Sequence, residues 1–314
     1  MVIDSHIHVF NRSVGGAEEN FPLWPNRRTS RWGAGEEDLL RQMDEAGIDK
    51  AFLISYTPVD VMAHYSPEKR DHMLAVFQHY LSKDHAIRVW SEHRDRFFWF
   101  SDSVDPRVPG YVERAEQDLD RGASGLKLLP LFVHTDMGDP RWRPIFELLQ
   151  KKNKPCIIDL SWWYTTRLWF SPSTNEKYDS YTDYVRGFGE LAADFRDVKV
   201  QLAHFGTPKG KGEDESAMDE VINFVQVHPN LSCDLAAYQQ SIEEGEPYPY
   251  WTALKVVEKL VEGLGAERIC WGTDWPYLGV QPYGEIIRAI REAPFLDAKQ
   301  VEQILGLNAL RFVT

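Results

Sequence analysis

Near the start of the chain stands Asp4-Ser5-His6-Ile7-His8. Side chains of an extended strand alternate between its faces, so Ile3 and Ile7 share one face while Asp4, His6 and His8 share the other. Two imidazoles roughly 6–7 Å apart along one face can converge on a single ion. The plainer alternative is a pair of partly exposed histidines at a strand end. Far along the chain, the run Val200-Gln201-Leu202-Ala203 stops at His204, with Phe205 and Gly206 after it. Later still, Cys270-Trp271-Gly272-Thr273 leads into Asp274, Trp275 and Pro276. Each segment alone is compatible with turn chemistry, because Asp favours turns. Together they give three apolar runs that each finish with a ligand-type or acid/base side chain, which points to one shared rim.

Two further groups could join them. Lys127 lies inside Gly125–Leu129, and lysine is rarely buried unless paired. It reads as an inward cation near a substrate or as a salt-bridged structural lysine. Asp159 ends Cys156-Ile157-Ile158 and reads as a ligand or as a cap. His64, His72, His79, His85 and His93 fall in a polar, helical stretch and read as solvated. His134 follows the fourth apolar run and could reach the same rim, and His228 before Pro229 reads as a turn residue. No GxSxG elbow is present, which argues against a serine hydrolase. Cys156, Cys233 and Cys270 form an odd, widely spaced set in apolar runs. They read as small buried hydrophobes, neither thiol nucleophiles nor a disulfide framework.

The elements that must position these residues alternate along the chain. Short apolar runs occupy Val2–Val9, Lys50–Ile54, Phe97–Ser101, Gly125–Leu129, Pro155–Leu160, Val198–Ala203, Leu231–Ala236 and Arg268–Trp271. Between them lie amphipathic stretches. Glu36–Ala46 stops at Gly47, Tyr111–Arg121 at Gly122 and Tyr250–Leu264 at Gly265, while another helix starts with Asp139 as cap and Pro140 in its first turn. Repeated βα units give a parallel sheet, because parallel strands need a crossover. The length suits a single α/β domain over residues 1–314, a (β/α)8 TIM barrel with its site at the C-terminal ends of the strands. Residues 55–95 read as a helical cap insertion. A doubly wound sheet is the main rival, but neither GxGxxG nor GxxxxGK[ST] appears. The loop Asn11–Gly35 carries Arg12, Arg27, Arg28 and Arg31 with Trp24 and Trp32, and Trp162–Asp179 carries Trp162, Trp163, Tyr164, Trp169 and Phe170. In a barrel both lie over the mouth.

Composition narrows the partners. A formal net charge of −13 repels phosphate backbones and anionic membrane surfaces, so neither nucleic acid nor membrane is expected. Hydrophobic residues at 43% and charged residues at 26% are ordinary for a globular protein and argue against global disorder. No apolar run approaches the ~18 residues of a spanning helix. The start MVIDSHIHVF lacks a basic region, so no signal peptide is expected, and the cysteine usage fits a reducing cytoplasm. A small molecule is the expected partner.

These motifs, taken in order, resemble the amidohydrolase superfamily, specifically its amidohydrolase-related (type 2) branch. The matching pieces are Asp4-Ser5-His6-Ile7-His8, Gly125-Leu126-Lys127-Leu128, Ala203-His204-Phe205-Gly206, Gly272-Thr273-Asp274-Trp275-Pro276 and the ending Ile304–Phe312. The branch is a group of (β/α)8 enzymes that includes lactone hydrolases and non-oxidative decarboxylases of aromatic or muconate-type acids. The resemblance implies that His6, His8 and Asp274 hold one divalent metal, usually zinc, and that His204 polarises the substrate. It also implies a homodimer. At the end of the fifth strand the family usually has a histidine, where this chain has Asp159. A carboxylate can ligate zinc, and it also favours harder ions such as Mn²⁺. Some lactonases of the branch look metal-independent.

The chemistry so implied is hydrolysis of a lactone, ester or amide, with Asp274 taking the proton of an activated water and His204 stabilising the oxyanion. Decarboxylation of an aromatic or muconate-type acid on the same site is the rival. A barrel that binds a small molecule but has lost catalysis, with Asp159 as the trace of that loss, is a third reading. Lys127, Trp162, Trp163, Trp275 and Arg12 are the expected substrate contacts. The aromatic loops favour a planar substrate, and arginine suits a carboxylate. The alternative for the arginines is a solvated basic loop.

Overall fold

The computed structural model describes residues 1–11, 33–55, 82–102, 104–130, 133, 135–160, 181–206, 215–242, 245–276 and 281–314. Arg12, Trp162, Trp163, His134 and most of the expected 55–95 cap therefore lie outside the described residues. The strands are β1 (Ile3–Ile7), β2 (Lys50–Ile54), β3 (Phe97–Ser101), β4 (Gly125–Leu128), β5 (Cys156–Ile158), β6 (Val200–Leu202), β7 (Leu231–Asp234) and β8 (Ile269–Cys270). They form one eight-stranded sheet in the order β1-β2-β3-β4-β5-β6-β7-β8. The registered pairs are parallel. A helix follows each strand: α1 (Glu36–Ala46), α2 (Lys83–Glu92), α3 (Tyr111–Arg121), α4 (Arg143–Lys152), α5 (Tyr181–Asp194), α6 (Glu215–Val227), α7 (Trp251–Leu264) and α8 (Tyr283–Arg291). This is the (β/α)8 barrel fold. The chain ends in α9 (Ala298–Glu302), a π-helical turn (Gln303–Leu307) and α10 (Asn308–Val313). No described helix is long and apolar enough to cross a membrane.

By internal packing the chain forms two compact units, one of Met1–Trp99 with Leu235–Phe312 and one of Phe100–Asp234. In the first unit β1 is held on both sides. Ile3 and Asp4 pair with Lys50 and Ala51 of β2. On the other side, Ser5 N donates to Trp271 O (2.9 Å), Asp274 N to His6 O (2.8 Å) and His8 N to Trp275 O (2.8 Å). Gly272 makes this approach possible, because a Cβ there would stand 3.0 Å from Ser5 Oγ and 3.3 Å from His6 Cβ. Helix α1 buries Leu39 and Met43 one turn apart, and stops at Gly47 in the left-handed conformation (φ 69°). Helix α8 buries Ile286, Ile287 and Ile290.

In the second unit β4 through β7 run in continuous register, with Leu126 opposite Cys156, Cys156 opposite Val200, and Val200 opposite Leu231. Its core is aromatic, with Phe146 packed 6.3 Å from Phe188 and 5.7 Å from Phe195 between ring centres. Gly125 begins β4 because a Cβ there would fall 2.4 Å from Pro155 O.

Several strands are shorter than their apolar runs. At β6 the cause is backbone geometry. Beyond Leu202 the chain enters a 3₁₀ turn in which His204 (φ 55°) and Phe205 (φ 45°) are left-handed. Beyond β8, Asp274 (φ 62°) is left-handed too. Asp139 caps as expected, its carboxylate accepting Arg141 N at 2.9 Å. It caps a 3₁₀ turn, Pro140–Trp142, that feeds into α4.

Candidate active site

In the first unit, β1 aims His6 and His8 to one side, with ring centres 5.5 Å apart and nearly edge-to-face. Asp274 reaches them from the turn after β8, and Asp tolerates the left-handed conformation better than most residues. Asp274 Oδ1 lies 3.9 Å from His6 Nε2 and 3.5 Å from His8 Nε2. One donor atom from each of the three lies within 4.8 Å of the others, and all three residues are buried.

The donor chemistry suits a divalent cation. Two imidazole nitrogens and one carboxylate oxygen are borderline-to-hard ligands that accommodate Zn²⁺ or Mn²⁺ and leave coordination positions open. His8 Nδ1 sits 3.2 Å from Ile54 O. A carbonyl can only accept, so Nδ1 carries the proton and the Nε2 lone pair is left for a cation. Among the described residues, Glu36, Glu92 and His93 also cluster. There Glu36 already bonds Arg88 and His93 (3.1 Å), and Arg88 also pairs with Glu92 at 2.5 Å. The Arg88 guanidinium fills the place a metal would take. His93 and half-buried His85 thus belong to a packed polar network, which corrects the expectation that both are simply solvated.

The sequence assigned no role to Asp4, which shares the polar face of β1. It is fully buried, and its oxygens accept from His6 N (3.1 Å), Thr273 N (3.0 Å), Thr273 Oγ1 (2.5 Å) and the Tyr283 hydroxyl. Burial pushes its pKa up from 3.8 to about 7, against the lowering effect of those hydrogen bonds. Burial and the Asp4 carboxylate together push the Tyr283 hydroxyl well above its ordinary value. The alternation in β1 could have flagged Asp4. Thr273 and Tyr283 carry no such local signal, being partners more than 250 positions away.

Trp275, an expected substrate contact, turns inward. Its indole is 0% exposed, and its N–H reaches Gln42 Oε1 of α1 at 3.4 Å. It packs against α1, and its role as a substrate contact stays a proposal.

In the second unit, Asp159 follows β5 and presents Oδ2 3.7 Å from His204 Nε2. His204 is fixed by its backbone, its N donating to Asp234 Oδ1 at 2.7 Å. Asp234 Oδ2 also accepts Gln201 Nε2 at 2.9 Å. Asp234, another residue that carried no assignment, is thus the buried clamp of the His204 turn. Lys127 is buried in β4 between Leu126 and Leu128, in register with Ile157. Cys156, Cys233 and Cys270 are buried and unbridged, and burial pushes the Cys156 thiol upward.

Comparison with known proteins adds a family. No curated protein matches the sequence. Among solved structures, a probable 2-pyrone-4,6-dicarboxylic acid hydrolase from Acinetobacter baumannii with citric acid bound is similar at 15% identity and a TM-score of 0.62, over 99% of this chain and 98% of that one. An amidohydrolase from Burkholderia multivorans with bound zinc is similar at 14% identity and a TM-score of 0.62, over 100% and 99%. A 5-carboxyvanillate decarboxylase from Novosphingobium aromaticivorans, complexed with manganese and 4-hydroxy-3-methoxy-5-nitrobenzoic acid, is similar at 15% identity and a TM-score of 0.57, over 88% and 79%. At these identities the likeness shows a shared fold. The sequence itself matches the family model described as Amidohydrolase over residues 3–314, which is nearly the whole chain, and the protein belongs to that family.

Proposed function

We propose that the protein is a metal-dependent hydrolase that opens a lactone, ester or amide bond in a small, planar, carboxylate-bearing substrate. The observation that supports this most is the buried convergence of His6, His8 and Asp274 donors within 4.8 Å. A divalent cation held there, zinc or manganese, would supply Lewis acidity and lower the pKa of a bound water toward neutrality. Asp274 takes the proton of the attacking water and returns it to the leaving group. His204 donates to the carbonyl oxygen as negative charge develops on it. Asp159 is the further candidate oxygen ligand. Lys127 and Arg12 are the candidate contacts for a substrate carboxylate, and Trp162 and Trp163 those for a planar ring. A cyclic lactone with carboxylate substituents, the class that the Acinetobacter neighbour's name describes, is the first substrate to try.

The manganese-bound decarboxylase among the neighbours favours a second reading. Asp274 would then deliver a proton to a ring carbon, the electrons of the breaking C–C bond would stay on the ring, and carbon dioxide would leave.

Elemental analysis of the purified protein, combined with turnover of 2-pyrone-4,6-dicarboxylate, other lactones and hydroxybenzoates before and after chelation, tests both. The hydrolase reading expects about one metal per chain and uptake of labelled water oxygen into the product. Release of carbon dioxide would establish the second reading instead. Binding of an aromatic acid with neither metal nor turnover would leave a degenerate binder.

A further inference from the structure

Asp274 and His6 approach one another because a single buried carboxylate holds both backbones. Asp4 Oδ1 accepts from His6 N at 3.1 Å and from Thr273 N at 3.0 Å. Asp4 Oδ2 accepts from Thr273 Oγ1 at 2.5 Å and from the Tyr283 hydroxyl. Four donors fill the roughly four lone-pair sites of an ionised carboxylate. The peptide on the far side of Thr273 is fixed as well. Thr273 O accepts Gln239 Nε2 at 2.6 Å and Ala237 N at 3.3 Å, and Thr273 Oγ1 accepts Trp275 N at 3.2 Å. Asp274 N then donates to His6 O at 2.8 Å. Every polar backbone group from Thr273 N to Trp275 N, the Asp274 carbonyl aside, is thus bonded to a named partner. In the middle of this clamp Asp274 holds a left-handed backbone, which a non-glycine residue keeps only when its surroundings over-determine it.

The geometry points to Asp4, acting with Thr273 and Tyr283, as a positioning residue that sets the spacing between the histidines of β1 and Asp274, and so sets the affinity of the trio for a divalent cation. Asp4 donates no electrons to the cation in this arrangement. It acts by locking ligand-bearing backbone, as partners behind metal ligands do elsewhere, where their removal costs about 10–100-fold in metal affinity. The inference rests on the reading of His6, His8 and Asp274 as metal ligands.

The test is zinc affinity of metal-stripped full-length protein, measured by competition with a chromophoric chelator, well below the melting temperature of each variant. Thr273→Val keeps the shape of the side chain and removes its hydroxyl, and Thr273→Ser keeps the hydroxyl. Neither changes charge or touches a ligand atom. The expected result is zinc binding about 10-fold weaker in Thr273→Val, within about threefold of the starting protein in Thr273→Ser, and 10–100-fold weaker in Asp4→Ala. Should Asp4→Ala fail to fold, Tyr283→Phe takes its place and is expected to weaken zinc measurably with a cooperative melt intact. A folded Thr273→Val that binds zinc within threefold of the starting protein overturns the inference while leaving the metal reading in place. A starting protein that binds neither zinc nor manganese overturns both.

Discussion

His8 Nδ1 and the Ile54 carbonyl oxygen lie 3.2 Å apart, and this contact fixes which nitrogen of the ring faces Asp274. The proton must sit on Nδ1, so Nε2, 3.5 Å from Asp274 Oδ1, is a lone-pair donor held in place by β2. Removing one of the three clustered donors leaves a site too poor to retain a cation through dialysis. His8→Ala is therefore expected to lower metal content from about one equivalent to below roughly 0.1, read by elemental analysis. A full equivalent in the folded variant would take His8 out of the ligand set.

His204 occupies a left-handed position (φ 55°), and this decides how its role should be tested. Asn tolerates that conformation better than most residues do, so His204→Asn removes the imidazole without adding much strain. If His204 stabilises an oxyanion, turnover falls by about 10²–10³ while the melting temperature barely moves. Near-normal turnover on a substrate identified by the panel would remove it from the mechanism.

Asp234 gives a sharper structural expectation. It satisfies His204 N and Gln201 Nε2, both otherwise buried donors. Leaving a buried donor unmet costs about 1–3 kcal/mol each, so Asp234→Ala should destabilise by roughly 2–6 kcal/mol. Asp234→Asn keeps an acceptor for His204 N, and Gln201 can turn its amide to present oxygen to the new NH₂. Chemical denaturation should place Asn well above Ala in stability, and equal losses would contradict the clamp.

Glu36 sets a pH dependence. Burial raises its pKa, but hydrogen bonds from Arg88 and His93 outweigh burial and hold the carboxyl below its ordinary value of 4.5. The unfolded chain therefore binds this proton more readily than the folded one. The contribution is fully present above about 4.5 and fades as pH falls through the depressed folded value. The stability gap between the starting protein and Glu36→Gln should narrow steadily below that pH, and salt should shrink it at neutral pH because Arg88 is nearly half exposed. A gap that widens on acidification would reverse the assignment.

The barrel was legible because its signals are local. Lys50–Ile54, Phe97–Ser101 and the helices Glu36–Ala46 and Tyr111–Arg121 stand where apolar runs and glycine stops put them. Gly47 and Gly122 end their helices left-handed, the conformation such a stop needs. The convergence of His6 and His8 followed from strand alternation. Asp274 joined them through the order of the motifs, and no local pattern showed that distance. What stayed hidden is long-range. Nothing in Gly272–Pro276 tells that Trp275 turns under α1 to meet Gln42, because its direction is set by a left-handed Asp274 that propensity alone would not assign. The roles of Asp4 and Asp234 were hidden for the same reason, since Thr273, Tyr283, Gln201 and His204 stand tens to hundreds of positions away.

The C-terminal segment separates stability from site geometry. Asn308 Nδ2 donates to Ala266 O and Ile269 O, each at 2.8 Å, and Ile304 O accepts Trp271 N at 2.8 Å. These bonds brace both ends of β8, whereas Asp274 beyond it is held by Asp4, Thr273 and His6. Asn308→Ala leaves two buried carbonyls short of a donor, at about 1–3 kcal/mol. Gly306→Ala would press a Cβ to 2.3 Å from Met1 O and force the backbone apart, also at about 1–3 kcal/mol. Each kcal/mol lowers the melting temperature by about 1.5 °C at this chain length, so calorimetry should show drops of roughly 1.5–5 °C. Zinc affinity of the same variants, measured below their transitions, is expected to stay within about threefold, because the clamp around Thr273 does not run through the C-terminal helices. A tenfold loss of zinc in Asn308→Ala would show that bracing at the base of β8 is transmitted to Asp274, and that the Asp4 clamp does not act alone.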